Sequence, residues 1–444
     1  MDRAVRNLID LTNPADNFIL NMDQAEAARR VASGDPHAVA EIEGQFAIVA
    51  RDGDRIRMAR SIGRLLRYFI AKRQDGPMLI VAQRIESIRA CLEELGLLDQ
   101  FHPSYTRMAP AHYVTEVHLV GCPDPNPVYR RFFDPPQDVW QSDIEAIGRR
   151  YIKALATAID GWLNRVPARA PIGVCFSGGI DSGAVFLTTY HAMKARGDNL
   201  SRLKAFTLSV DGRGEDLAQA RRFLHSVDLS LFLEPIEVSG DAVNPLETVR
   251  VIEDYKPLDI QAGAVLLALC RAIRQRYADW KYLIDGDGGD ENLKDYPIEI
   301  NPELTIRSVL NNRMLYQEGW GVESIKHSLT FSGGHSRGYA RTAGPLAATG
   351  FVGFSPFTVP GVIAVAEGIP YRALTDFDVD RLYELKGQVV AAGVRAVTGL
   401  QLPVFEKRRF QHGVGRLRDF DEPLAAQERR YYKAFQDEFV PAAG

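Results

Sequence analysis

The 444 residues hold 46% apolar and 25% charged side chains with a formal net charge of −4, ordinary globular material with length enough for two or three domains. That balance gives no electrostatic case for nucleic acid or a membrane as the main partner, and no run approaches the roughly 18 apolar residues of a bilayer span. Cys91, Cys122, Cys175 and Cys270 show neither CxxC spacing nor a secreted framework, and Met1–Arg6 lacks an apolar signal core, so a cytoplasmic location is the expectation.

In chain order, Ile42–Arg51, Ile56–Arg60, Met78–Gln83 and Met108–Thr115 read as short strands separated by turns, and Ile85–Leu95 as an amphipathic helix around Cys91. Asp134-Pro135-Pro136-Gln137 marks a linker after Val128–Phe133. Two domains are expected, 1–136 and 137–444. Ile144–Leu163 has helical spacing. Strands follow at Ile172–Phe176, Leu203–Val210, Leu229–Val238 and Lys281–Ile284, with helices at Gly183–Arg196, Asp216–His225 and Ala262–Tyr277. Such alternation predicts a parallel sheet with helices on both faces. After Pro297 the pattern turns helical and loop-rich.

Two motifs carry chemistry. Ser177-Gly178-Gly179-Ile180-Asp181-Ser182 joins a strand to a helix. A turn of this kind lets backbone amides close on phosphate oxygens, with the helix N-terminus adding partial positive charge. Ser177 and Ser182 offer hydroxyls, Gly178 and Gly179 lack the Cβ that blocks approach, and Asp181 suits magnesium. Asp285-Gly286-Asp287-Gly288-Gly289-Asp290-Glu291 follows another apolar run. Its crowded carboxylates repel one another unless solvated or neutralised by cations. It lacks the Glu that closes an EF-hand calcium loop. If both loops lie at the C-terminal ends of neighbouring parallel strands, they face one crevice. Asp181 and Asp290 then share a magnesium ion on a nucleotide polyphosphate.

SGGIDS followed by DGDGGDE resembles the synthetase domain of the asparagine synthetase family, whose relatives include β-lactam synthetases and lasso-peptide cyclases. The resemblance implies a parallel-sheet α/β fold of the adenine-nucleotide α-hydrolase-like (PP-loop) kind. It implies ATP and Mg2+, cleavage of ATP between the α and β phosphates, and transfer of AMP to a carboxylate. Val210, closing Leu208-Ser209-Val210, is similar to the strand end that meets adenine. Gly286, with Ser177, Gly178, Gly179, Asp181 and Ser182, belongs to the implied nucleotide site. Phe405-Glu406-Lys407-Arg408-Arg409-Phe410-Gln411-His412-Gly413 looks like the family's late segment, and Lys407 matches its lysine on phosphate and the tetrahedral oxyanion. Asp287 stands where asparagine synthetases have Glu and β-lactam synthetases Tyr; it is the candidate to deprotonate or position the amine.

The chain also departs from the family. Asp285 replaces a usual Ser, which puts that phosphate contact in doubt. Gly350–Thr358 offers Val352 and Phe354 before Pro356-Phe357 where the family has Glu and Arg, implying a more apolar acceptor pocket. The N-terminal strands resemble a truncated Ntn-like glutaminase domain without its opening strands. Asp2 stands where that domain's nucleophilic cysteine follows Met1, so no ammonia from glutamine is expected. Ser332-Gly333-Gly334-His335-Ser336 imitates the first loop without a strand before it, leaving Arg337 or Arg341 as candidates to line the substrate pocket.

The expected function is AMP-forming amide ligation between a small carboxylic acid and an amine, or amide closure within one molecule, in specialised metabolism. Transfer of sulfur or another nucleophile to the adenylated carbonyl, with Cys175 at the phosphate-loop strand, stays open. So does a nucleotide-binding regulator without turnover. Relatives are commonly dimeric, and a homodimer stays open with the oligomeric state undetermined. His327, His335 and His412 form no zinc spacing.

Overall fold

The computed structural model describes residues 7–74, 76–118, 127–212, 214–319, 321–329, 338–405 and 420–440. Five parallel strands form the central sheet, in spatial order Leu233–Val238, Leu203–Val210, Ile172–Cys175, Tyr282–Ile284 and Val352–Phe354. Ile172 lies level with Leu203 on one side and Tyr282 on the other. The strands preceding the two motifs are therefore direct neighbours running the same way, and both loops leave one edge of the sheet. The chain is mixed α/β, with helices around this sheet.

Most elements lie where the patterning puts them, with instructive differences. The expected strand at Leu229–Val238 starts at Leu233, because Ser230–Phe232 forms a 3-10 turn. The helix expected from Ala262 begins at Pro257, whose missing N–H costs nothing in a first helical turn. The fifth strand lies in the region after Pro297 whose pattern reads as helical and loop-rich. Val352–Phe354 is only three residues long, too short for periodicity to register. Phe354 stacks on Trp162 with ring centroids 5.4 Å apart, fixing that sheet edge against the helix Ile144–Leu163.

That helix starts on Asp143, whose side chain accepts from the Glu145 and Ala146 amides. Ile147, Tyr151, Ile152, Leu155, Ile159 and Trp162 form its buried stripe. The helix Val379–Thr398 packs along it. A Cβ added to Gly148 would lie 2.7 Å from the Gly393 nitrogen, so the two backbones touch.

The N-terminal region forms two four-stranded sheets. One orders Asn7–Asp10, Met78–Ala82, Arg67–Ala71 and Arg107–Met108; the other Val128–Arg131, Tyr113–His118, Arg55–Arg60 and Ala47–Asp52. Asn7–Asp10 runs parallel to Met78–Ala82. The patterning did not bring out this short strand. The run Met108–Thr115 divides in two at His112, whose φ of 66° breaks the extended path. Ile62 and Ala111 share an apolar cluster with Met314, Tyr339 and Ile363, so this region packs directly onto the parallel-sheet region. The helix Leu424–Phe439 joins the same seam, placing Tyr431 and Phe435 in a cluster with Phe69, Ile80, Val249 and Leu267.

Candidate active site

The glycine turn is built by its own residues. The Ser182 hydroxyl accepts from the Ser177 amide at 3.3 Å, and the Ser177 hydroxyl accepts from the Gly179 amide at the same distance. Gly178 has φ 74°, and a Cβ there would lie 2.8 Å from the Ala220 nitrogen; both facts demand glycine. The helix Ile180–Ala195 starts at Gly179 with no side-chain cap. A helix N-terminus at a glycine turn of this kind binds phosphate elsewhere. Val210 ends the neighbouring strand, buried, at the same sheet edge.

The aspartate-rich loop touches that turn. A Cβ on Gly286 would lie 2.9 Å from the Ser182 nitrogen, and one on Gly289 would strike the Asp181 carboxylate. Beyond it the chain forms the short helix Gly289–Asn292, and the Asp295 amide returns to the Asp290 carbonyl. Asp181 and Asp290 thereby flank one point. Lys386 from the helix Val379–Thr398 fills it. Its Nζ donates to Asp181 Oδ2 at 2.6 Å and to Asp290 Oδ1, with Asp295 Oδ2 at 3.2 Å. Burial works against the charge of Lys386, but the three carboxylates outweigh it and hold the ammonium protonated well above its ordinary range.

Asp287 points the other way. Arg341 Nη2 donates to Asp287 Oδ1 at 2.6 Å and to Glu291 Oε1 at 3.1 Å, and Thr342 Oγ1 donates to Asp287 Oδ2. Tyr296 donates to Glu291 at 2.6 Å. Burial opposes the Arg341 charge, yet Asp287 and the other acidic neighbours keep it firmly protonated. Asp287 is thus one arm of an ion pair, which suits positioning of an incoming group better than proton abstraction.

Asp285 lies behind the loop, buried. Ser355 Oγ donates to its Oδ2 at 3.0 Å and the Asp287 amide to its Oδ1 at 2.9 Å. Burial, then the nearby Asp287 charge, pushes its pKa up to about 7 against those two hydrogen bonds. Gln45, from the N-terminal region, donates to the Ser355 carbonyl at 2.8 Å and to Thr358 Oγ1 at 2.7 Å. A hydrogen-bonded series therefore runs from the N-terminal region through Ser355 and Asp285 to Asp287 and Arg341.

The patterning brought out the two loops and Arg341 but missed Lys386, Ser355 and Gln45. Lys386 left one legible signal. It lies four residues after Leu382 and three before Val389, on the buried stripe of its helix, where an unpaired lysine is not tolerated. Lys407, Ser332–Ser336, Arg337 and His412 lie outside the described residues. Cys175 is partly exposed, and burial pushes its thiol well up, which weighs against a ready nucleophile.

Among the described residues no group of three or more His, Cys, Asp or Glu has the geometry of a complete metal site. Mg2+ is commonly held by one or two carboxylates with substrate phosphates completing its octahedron. Asp181 and Asp290, both against one ammonium beside an uncapped helix N-terminus, fit such a partial site. Among the described residues no helix is long and apolar enough to cross a membrane.

Residues 155–330 match the family described as asparagine synthase, which places both loops and Asp295 inside the match and Gln45, Arg341, Ser355 and Lys386 outside it. ATP-dependent amide ligation is the general chemistry of that family. No curated protein matches the chain.

Proposed function

We propose that this chain, whose residues 155–330 match the asparagine synthase family, is an AMP-forming ligase that adenylates a small carboxylic acid and joins it to an amine without hydrolysing glutamine. One observation carries the reading. The uncapped helix turn and the aspartate-rich loop meet at Gly286 and Ser182 at the same sheet edge.

Amides of Gly178 to Ser182, with the Ser177 and Ser182 hydroxyls, cradle the triphosphate, and Val210 borders the base. Asp181 and Asp290 would hold Mg2+, which when bound neutralises charge on the phosphates. A carboxylate oxygen attacks the α phosphorus, the α–β bridge breaks, and pyrophosphate leaves. An amine then attacks the acyl carbon, AMP departs with the electrons of the acyl–oxygen bond, and the amine proton is lost. Asp287, steadied by Arg341 and Thr342, positions that amine. Lys407 is assigned the phosphate and oxyanion contact.

The glutamine-independent part draws on the described cysteines. Cys91 sits in a helix that buries Ile85, Ile88 and Leu92, and burial, with Glu94 next, raises its thiol. Cys270 lies buried in the synthetase core, its thiol pushed up to about 12 by burial, and the partly buried Cys175 packs against the same cluster. None of these three is an activated thiol.

Incubating the protein with ATP, MgCl2 and a panel of acids, and following exchange of labelled pyrophosphate into ATP, tests the reading. Acid-dependent exchange is expected, with AMP released once an amine is added and no glutamate from added glutamine. Cleavage to ADP and phosphate, or glutamate release, contradicts it. A role in specialised metabolism is part of this proposal, and the identity of the acid on the panel decides it.

A further inference from the structure

Lys386 contributes an ammonium with three N–H donors, and three carboxylates surround it: Asp181 from the phosphate-side helix, and Asp290 and Asp295 from the acidic segment. Only 3% of the lysine side chain is exposed. The ammonium therefore stands at the point where Asp181 and Asp290 would share a divalent ion, and it neutralises part of the charge that would attract one. Two cations cannot occupy neighbouring positions in a buried site without strong mutual repulsion. The triphosphate changes that balance, because its oxygens provide both the ion and the ammonium with new partners.

We propose that Lys386 is the resting counter-ion of this site: it holds the three carboxylates together before nucleotide arrives, excludes free Mg2+, and yields its place only to Mg2+ delivered with ATP. Loading is thus ordered. The metal and the triphosphate enter as one unit, and the free enzyme ignores divalent cation alone. The inference rests on the proposed nucleotide reading for its second half, while exclusion of free Mg2+ stands on the lysine alone. The four-carbon stem of lysine on the rigid helix Val379–Thr398 lets the charge move while the backbone stays.

The test uses MgCl2 and MgATP as ligands, with EDTA and NaCl as controls. Calorimetric titration of the wild-type protein with MgCl2 is expected to show no saturable heat, and titration with MgATP a saturable one. Lys386→Met should bind MgCl2 alone at least about tenfold more tightly than wild type. Its melting temperature should fall in EDTA and recover with MgCl2, not with NaCl of equal ionic strength. Lys386→Arg keeps the charge and should stay indifferent to MgCl2. If Lys386→Met does not fold in EDTA, refolding in MgCl2 gives the same answer: recovery supports the inference, and none overturns it. Wild-type protein that binds MgCl2 as tightly as Lys386→Met, or a methionine variant insensitive to MgCl2, also overturns it. Wild-type protein that takes up neither MgCl2 nor MgATP breaks the nucleotide reading instead, and the two are told apart in one series.

Discussion

The two loops of the site are held in opposite ways. The glycine turn at 177–182 is closed by its own serines and amides, whereas the loop at 285–291 is balanced from afar. Lys386 holds Asp290, Arg341 holds Asp287 and Glu291, and Ser355 with Gln45 steadies Asp285. A loop that satisfies itself shows its purpose in six consecutive residues. A loop of carboxylates shows only that cations are needed, and the fold decides which ones.

The sharpest way to break this comparison is at the shared point. Asp181→Asn should lower pyrophosphate exchange by at least roughly 10²-fold, in line with loss of one charge-stabilising contact in a transition state; near-normal exchange removes Asp181 from the site. Arg341→Met comes next. It leaves Asp287 and buried Glu291 facing each other without the guanidinium, and thermal or urea unfolding should report a loss of about 3 kcal/mol. Unchanged stability means that the remote balance is not needed. Gln45→Leu should cost about 1–2 kcal/mol by the same measurement, since Ser355 retains Thr358 as a partner while the amide contacts go.

The last test is a pH dependence. Because burial and then Asp287 raise Asp285 from 3.8 to about 7, the folded protein keeps a proton there that the unfolded chain releases. The stability linked to this group is fully present below about pH 4 and declines as pH rises towards 7. Asp285→Asn should flatten the melting-temperature profile across that window. An unaltered slope assigns the pH dependence to other groups.

The same contrast explains how much of the molecule was legible beforehand. Leu203–Val210 and Ile144–Leu163 stand at their expected limits because each carries a full run of apolar spacing. Val352–Phe354 gave no period to count, and the helix read from Ala262 begins five residues earlier, at Pro257. In the site, Asp181, Asp287 and Asp290 belong to local motifs, but their counter-ions lie 54 to 205 residues away. No periodicity spans that distance. Lys386 was visible only as a charge on an apolar stripe, and Gln45 gave no sign, since a half-strand glutamine is ordinary until Ser355 is placed beside it.

Titration of MgATP into wild-type protein, Asp181→Asn, Asp290→Asn and the double variant tests most directly whether the two loops grip one ligand. A shared site predicts that either single change weakens MgATP and that the double variant loses far less than the sum of the two. Losses that simply add, or an Asp290→Asn protein that binds MgATP as wild type does, contradict it.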